Sequence, residues 1–244
     1  MTEIALVADL HGNLPATLAV DADLRARGID RIWCLGDVVG KGPSSPDTLD
    51  WAVSRCQVIL QGNWDEGIGR KLFPKDAFYY RQLGDKRMRQ LLDFPLEHHC
   101  VVSGRRLRLL HGRPLMPQPW YVTEDERTFA PYFAPDWDAV GYADVHRQGM
   151  RILQNGGLLF NIGSVGNGLG ITMAQYAILR GKWDSPVPAP FDVTLVTVPY
   201  DRERAIRDAA EAGVQGLVNA DLFQRELRTG VYARDRVTGR RETP

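Results

Sequence analysis

Apolar positions along the first sixty residues switch between two periods. Ile4 to Ala8 is a near-continuous apolar run, as expected of a strand covered on both faces. From Asn13 to Arg27 the positions Leu14, Leu18, Ala22 and Leu24 recur at helical spacing, and Gly28 stops the segment. Arg31 to Leu35 reads as a second strand. Ser45-Pro46-Asp47 has the composition of a helix start, with Ser45 as the cap and Pro46 in the first turn, and the helix runs to about Arg55. Val58 to Leu60 is a third strand. Strand and helix in strict alternation predict a sheet with parallel strands and helices on its faces.

Beyond Glu66 the pattern changes. Residues 66 to about 97 are helical in character and mix charge with Phe73, Phe78, Tyr79 and Tyr80, so they are expected to leave the sheet as part of a small cap. Strands resume at Cys100 to Ser103 and Leu107 to Leu110, joined by a tight Gly104-Arg105-Arg106 turn. Residues 113 to 137 are rich in Pro and aromatics, with one short helix near Glu124. Further strands are expected at Ala139–Tyr142, Met150–Leu153, Leu158–Phe160, Met173–Leu179 and Val193–Val198, and amphipathic helices at Asp201–Ala212 and Val218–Glu226. From Leu227 onward five Arg and two acids accompany few apolar side chains, which predicts a loosely held basic tail. The expected organisation is a single domain over residues 1–226, with excursions at about 66–97 and 113–137, followed by the tail at 227–244.

Composition narrows the function classes. Among 244 residues, thirty Lys plus Arg balance thirty Asp plus Glu, so the global charge gives no support for nonspecific attraction to nucleic acid or an anionic membrane. Arg105, Arg106 and Arg108 form one local basic stripe, the feature that would favour a nuclease. No run approaches the roughly 18 apolar residues of a membrane span, and nothing before Ile4 reads as a signal peptide. Cys34, Cys56 and Cys100 are odd in number and far apart, which predicts buried thiols and a reducing cytoplasm.

The chemistry lies at the strand exits. Asp9-Leu10-His11-Gly12-Asn13 follows the first strand, and residues i and i+2 project to one side of an extended chain, so Asp9 and His11 are expected to point at one object. Asp37 sits in the glycine-rich turn after the second strand, Asn63 and Asp65 follow the third, and His111-Gly112 and Asp144-Val145-His146 follow later ones. Singly, each has a bland reading as a helix cap, a turn residue or a core histidine. In a parallel α/β sheet, however, strand exits gather along one edge, and three of the five histidines occupy such exits. Carboxylate and imidazole together make a transition-metal ligand set, and their number exceeds what one ion needs, which predicts two adjacent ions.

Asp9-x-His11, Gly36-Asp37-x-x-Gly40, Gly62-Asn63-x-Asp65, His111-Gly112 and x-x-His146 resemble, in order, the motifs of the calcineurin-like metallophosphoesterases. The likeness is nearest to the small bacterial branch of phosphodiesterases and diadenosine-tetraphosphatase-related phosphatases. Asn161-Ile162-Gly163-Ser164-Val165-Gly166 is similar to that branch's Asn-Pro-Gly-Ser-Val-Gly loop, and Val198-Pro199-Tyr200-Asp201 to its late strand-to-helix turn. The resemblance implies an α/β fold, a four-layer α/β/β/α sandwich with two mixed sheets and a small helical cap insertion. It implies two divalent transition-metal ions (manganese, iron, nickel or zinc). One would be held by Asp9, His11 and His146, the other by Asn63 and His111, with Asp37 bridging. Asp144 stands where the family has a histidine. Either it ligates the second ion through oxygen, or it points away and leaves that ion weakly held.

Two further departures bear on catalysis. Trp64 stands where many relatives carry a histidine that donates a proton to the leaving group, and indole has no usable acid function. Asp65, a water or a low-pKa leaving group must then serve, which favours diesters or phosphoanhydrides. Gly40-Lys41 replaces the Asp-Arg pair of the related protein phosphatases, leaving Lys41 as the cation for a substrate phosphate, without a guanidinium fork. The mechanism so implied is attack by a hydroxide shared between ions roughly 3.5–4 Å apart, with Asn63, Lys41 and Asp65 as catalytic residues and Lys41 and Asn63 touching substrate. The expected substrate is a small phosphorylated molecule, a nucleotide if Phe73, Tyr79, Tyr80, Trp120, Tyr121 or Trp137 stack on a base. The alternative is a degenerate member that binds a nucleotide or partner protein without turnover.

Overall fold

The computed structural model describes residues 2–233. The predicted alternation is realised. β1 (Thr2–Val7), α1 (Leu14–Ala26), β2 (Ile32–Cys34), α2 (Ser45–Arg55) and β3 (Val58–Ile59) follow one another, and β1, β2 and β3 pair in parallel. β9 (Ala174–Gly181) and β10 (Asp192–Val198) return antiparallel on the other side of β1, giving a sheet of order β10-β9-β1-β2-β3. The second sheet takes β4 (Glu97–Val102), β5 (Arg105–Leu110), β6 (Ala139–Tyr142), β7 (Gln148–Ile152) and β8 (Leu158–Ile162) in the order β4-β5-β6-β8-β7. There too the middle strands β5, β6 and β8 are parallel and the edges antiparallel.

Three cores show how the layers stack. Ile4, Leu6, Trp33, Leu35, Leu107, Leu109, Phe160 and Leu179 meet between the two sheets. Ala5 and Val7, on the opposite face of β1, pack with Val20 and Leu24 of α1, Leu49 of α2 and Tyr79, Leu83 and Leu91 of α4 (Ala77–Leu92). Leu110, Val140, Tyr142 and Leu159, on the outer face of the second sheet, cover Phe129 and Phe133 of α5 (Glu126–Phe133). The result is the helix/sheet/sheet/helix sandwich that the resemblance implies. The central strands of both sheets are buried on both faces, which is why β1 reads as continuously apolar rather than alternating.

The excursion expected over 66–97 is largely part of the helical layer. α3 (Asn63–Gly69) and α4 pack together, and Phe78, Tyr79, Leu83, Met88 and Leu91 enter the core. The N-cap of α1 is Asn13, whose side chain accepts from Ala16 N, whereas α2 takes Ser44 at its cap position. Ser45, expected as that cap, instead accepts from Gly40 N at 3.0 Å and so braces the Asp37–Lys41 turn. α6 (Arg202–Val214) and α7 (Ala220–Thr229) close the described chain. α7 overruns the boundary expected at residue 226, and Leu227 and Ala233 are buried. The segment through Ala233 is therefore held; the remainder of the expected tail lies outside the described residues.

The Asn161–Gly166 loop is packed beneath the exit of β1. Val165 N and Gly166 N donate to the carbonyls of Ala8 and Asp9, and Asn13 Nδ2 donates to Gly166 O at 2.7 Å. A Cβ on Gly166 would lie 1.9 Å from the carbonyl oxygen of Leu10. Gly166→Ala is therefore expected to cost about 1–3 kcal/mol in denaturant unfolding. Gly67→Ala is the control, since its Cβ meets Phe73 at 3.6 Å and gains helix propensity. Equal stability of the two variants would contradict this packing.

Candidate metal centre

Asp9 and His11 follow β1, Asp37 follows β2, Asn63 opens α3 after β3, His111 follows β5, and Asp144 and His146 follow β6. Six residues of this neighbourhood have left-handed backbone: Asp9, His11, Asp37, Lys41, Asp144 and His146, with φ between 47° and 70°. They make up six of the ten non-glycine residues so placed among those described. Each such conformation costs on the order of 1 kcal/mol or more and persists only where the surroundings fix it. The expected route, two side chains on one side of an extended strand, is thus replaced by kinked backbone. Asp9 and His11 still meet, with His11 Nε2 3.6 Å from Asp9 Oδ1. Backbone bonds hold the kinks: Asp9 N donates to Gly36 O, His11 N to Asp37 O and Gly42 N to His11 O, and Ser164 Oγ donates to Asp9 O.

The three histidines share one arrangement. Nδ1 of His11, His111 and His146 donates to the carbonyls of Val39, Leu35 and Asn167 at 3.2, 2.8 and 3.0 Å. A carbonyl can only accept, so a proton sits on Nδ1 and, in the neutral ring, Nε2 is left as a lone pair. All three Nε2 atoms face the Asp9 and Asp37 carboxylates. His146 Nε2 lies 3.3 Å from Asp9 Oδ1, and His111 Nε2 lies 3.5 Å from Asp37 Oδ2. Each carboxylate in turn has one oxygen pinned by backbone, Asp9 Oδ2 by Asp144 N and Asp37 Oδ1 by Trp64 N, and turns the other toward the imidazoles.

These groups fit cations better than they fit one another. His11 Nε2 and His146 Nε2 stand 3.1 Å apart, lone pair against lone pair. That spacing suits two ligands of one ion, since ligand bonds of about 2.0–2.2 Å place neighbouring donors about 3 Å apart. Asp9 Oδ1, Asn63 Oδ1 and His111 Nε2 are buried atoms without a hydrogen-bond partner among the described residues. Two groups of donor atoms emerge: Asp9, His11 and His146, and Asp9, Asp37 and His111. Burial lowers the His11 pKa well below the ordinary imidazole value, assisted by Lys41 and His146. At His111 burial also lowers it, but Asp37, Asp9 and Asp144 outweigh that and raise it to about 10. The anionic field that would hold a proton there is the field a divalent cation would meet.

Two cavities open onto these residues. One, of about 120 Å³, is lined by Asp37, Lys41, Trp64, Arg113, Tyr121, Asp144, His146 and Tyr232 among others. The other, of about 180 Å³, is lined by Asn63, Trp64, Phe73, Lys75, Asp76, Arg113 and Tyr232. Of the aromatics expected to overhang the site, Phe73 and Tyr121 line these cavities. Trp120 and Trp137 pack on the outer core of the second sheet, Tyr79 is buried in the helical core, and the Tyr80 hydroxyl donates to Phe73 O.

The model of the calcineurin-like phosphoesterase superfamily domain matches residues 2–182. The chain belongs to the calcineurin-like phosphoesterase superfamily. It is 27% identical over 227 residues to the uncharacterized protein MJ0912 of Methanocaldococcus jannaschii, covering 83% of this chain and 89% of that one. Its fold is similar to a metallophosphoesterase from Sphaerobacter thermophilus, with a TM-score of 0.72 and 23% identity over 94% of this chain and 99% of that chain. It is also similar to the hypothetical protein PH1004 from Pyrococcus horikoshii OT3, with a TM-score of 0.73 and 17% identity over 95% of this chain and 99% of that chain. Members of this superfamily are, in general, phosphoester hydrolases that bind divalent metals. Among the described residues no helix is long and apolar enough to cross a membrane.

Three expected residues do other work than the family motifs suggest. Asp65 does not face the cavities. Its fully buried carboxylate accepts from Asp37 N at 2.8 Å, Val38 N at 3.0 Å and Gly62 N at 3.0 Å, stitching the β2 and β3 exits together. Burial and the Asp37 carboxylate raise its pKa against the pull of these N–H groups. Lys41 reaches the cavity but is 7% exposed, and its Nζ pairs with buried Glu226 Oε2 at 3.4 Å and lies 5.2 Å from the Tyr232 ring centroid. Asp144, expected as a ligand if it did not point away, spends both carboxylate oxygens on Arg113.

Glu226, Tyr232 and Arg113 were not singled out by sequence. Glu226 lies 185 residues from Lys41, and no local pattern announces such a pair. Arg113 had a signal, a guanidinium two residues past a strand-exit histidine. Asp65→Ala strands four buried backbone N–H groups, those of Asp37, Val38, Val39 and Gly62, and is expected to lose at least about 2 kcal/mol of unfolding free energy. Stability equal to the parent would restore Asp65 as a freely disposed proton donor. Glu226→Ala, which leaves buried Lys41 uncompensated, is expected to cost about 3–5 kcal/mol. The Lys41→Met, Glu226→Met pair is expected to recover most of that in a double-mutant cycle, and no recovery would count against the pairing.

Proposed function

We propose that this chain is a dinuclear metal-dependent phosphoesterase acting on a small phosphodiester or phosphoanhydride. The observation that carries the reading is the set of three imidazoles tethered through Nδ1, with Nε2 turned onto Asp9 and Asp37 and no partner for Asp9 Oδ1, His111 Nε2 or Asn63 Oδ1. Asp9, His11 and His146 would hold one cation and His111 and Asn63 the other, with Asp37 between them. Two divalent cations so bound lower the pKa of water and draw charge from phosphoryl oxygens.

The protein's own groups set what can react. The carbonyls of Val39, Leu35 and Asn167 fix the three rings, and Trp64 N and Asp144 N fix the two carboxylates, so the donor set is in place before substrate arrives. Trp64 forms a wall of both cavities, with its ring centroid 5.8 Å from that of His11. It brings no proton to a leaving group, and Asp65 is turned away into backbone. The leaving group must therefore depart as an anion or take its proton from water, which favours leaving groups of low pKa. Two cavities that share Trp64 and Arg113 as lining give room for the two substituents of a diester or anhydride.

Metal-stripped protein reloaded with manganese, iron, nickel or zinc is the material for the test. The expected result is hydrolysis of aryl phosphodiesters and dinucleoside polyphosphates above that of monoesters, with rates falling steeply as leaving-group pKa rises, and loss of all turnover in Asp37→Ala. A flat leaving-group dependence, or monoesters preferred by a wide margin, would contradict the missing proton donor. Absence of turnover and of bound metal would favour a binding protein instead.

A further inference from the structure

Arg113 follows the strand-exit pair His111-Gly112 and lines both cavities. Its Nε donates to Asp144 Oδ1 and Oδ2 at 3.1 and 2.9 Å, and its Nη2 donates to Oδ1 at 2.6 Å. Its backbone N also lies 3.3 Å from Asp144 Oδ2. Gly112 permits this approach, because a Cβ there would lie 2.7 Å from that of Asp144. A guanidinium carries five N–H groups. Asp144 engages two, and Nη1 makes no hydrogen bond among the described residues, so three remain to be directed elsewhere.

The two partners differ in exposure. The Asp144 side chain is 2% exposed and that of Arg113 is 38% exposed. Asp144 is thus the buried anchor and Arg113 the group presented to the cavity. Lys41, the other cation in the first cavity, is in the opposite position, buried and paired with Glu226 and covered by Tyr232. Of the two cations that line the first cavity among the described residues, Arg113 is the one that presents solvent-facing donors beside Asp37 and His146. A planar fork with a fixed orientation matches the paired oxygens of a phosphoryl group.

We propose that Arg113 grips the phosphoryl oxygens of the substrate, and that Asp144 is its positioning residue rather than a metal ligand. The proposal rests on the phosphoester reading of the site and deepens it. Asp144 is held from both ends: its backbone N donates to Asp9 Oδ2 while its carboxylate orients the guanidinium. The phosphate grip is in this way tied to the carboxylate that faces the imidazoles.

The test compares the full-length parent, Arg113→Ala, Arg113→Lys, Asp144→Asn and the Arg113→Met, Asp144→Asn double variant, which leaves no lone buried charge. Three readouts are taken: bound metal per chain by elemental analysis after gel filtration, affinity for inorganic phosphate by calorimetry, and the split of kcat and KM. Arg113→Ala and the double variant are expected to keep the parent's metal content and lose roughly ten- to a hundredfold in phosphate affinity. Arg113→Lys is expected to recover only part of that loss, because an ammonium lacks the fork. Asp144→Asn is expected to keep all its metal and weaken phosphate binding. Loss of one metal equivalent in Asp144→Asn, or phosphate affinity within twofold of the parent in both Arg113→Ala and the double variant, would overturn the assignment. A parent that takes up metal but binds no phosphate and hydrolyses no ester would instead overturn the phosphoester reading beneath it.

Discussion

Everything at the strand exits answers to one constraint: three buried imidazole nitrogens and two carboxylates are held facing one another with fewer protons than acceptors to share. Nε2 of His11 and His146 stand at 3.1 Å, and Asp9 Oδ1 lies within 4 Å of all three imidazoles. Left to themselves these groups repel, and burial removes the water that would separate them. The protein holds them by tethering each ring through Nδ1 to a carbonyl and each carboxylate through one oxygen to a backbone N–H. Such an arrangement is stable in the company of cations and costly without them, which explains why the donor side chains are braced by backbone carbonyls and N–H groups.

The cost is distributed through the fold. Left-handed backbone at Asp9, His11, Asp37, Asp144 and His146 lets three short segments turn sharply at the sheet edge and reach one place. Asp65 binds the β2 exit to the β3 exit, and the Asn161–Gly166 loop binds the β1 exit from below. The central strands of both sheets are buried on both faces, so their ends cannot shift without disturbing a packed core. The charged residues around the site are also paired, Lys41 with Glu226 and Asp144 with Arg113, which limits stray charge near the imidazoles.

Much of this was legible in the sequence, because strand periodicity and the position of polar residues after each apolar run are local signals. The order of β1, α1, β2, α2 and β3, and the strand-exit placement of Asp9, His11, Asp37, Asn63, His111 and His146, follow from such runs. What was not legible depends on contacts across the chain. Asp65 looked like a free acid because three of its four backbone donors come from a segment that folds onto it. Lys41 looked like a phosphate ligand because Glu226 and Tyr232 approach it from α7 and the segment beyond, read as the end of an amphipathic helix and a tail. The i, i+2 spacing of Asp144 and His146 suggested a shared target, yet kinked backbone sends one carboxylate to Arg113 and one imidazole to Asp9.

Diffraction from crystals soaked in manganese, with anomalous-difference maps, tests the central claim most directly. The expected result is two peaks at the edge shared by the two sheets, one within ligand reach of Asp9, His11 and His146 and one beside Asp37, Asn63 and His111. A map empty at that edge, with the Nε2 atoms hydrogen-bonded to protein groups, would contradict it.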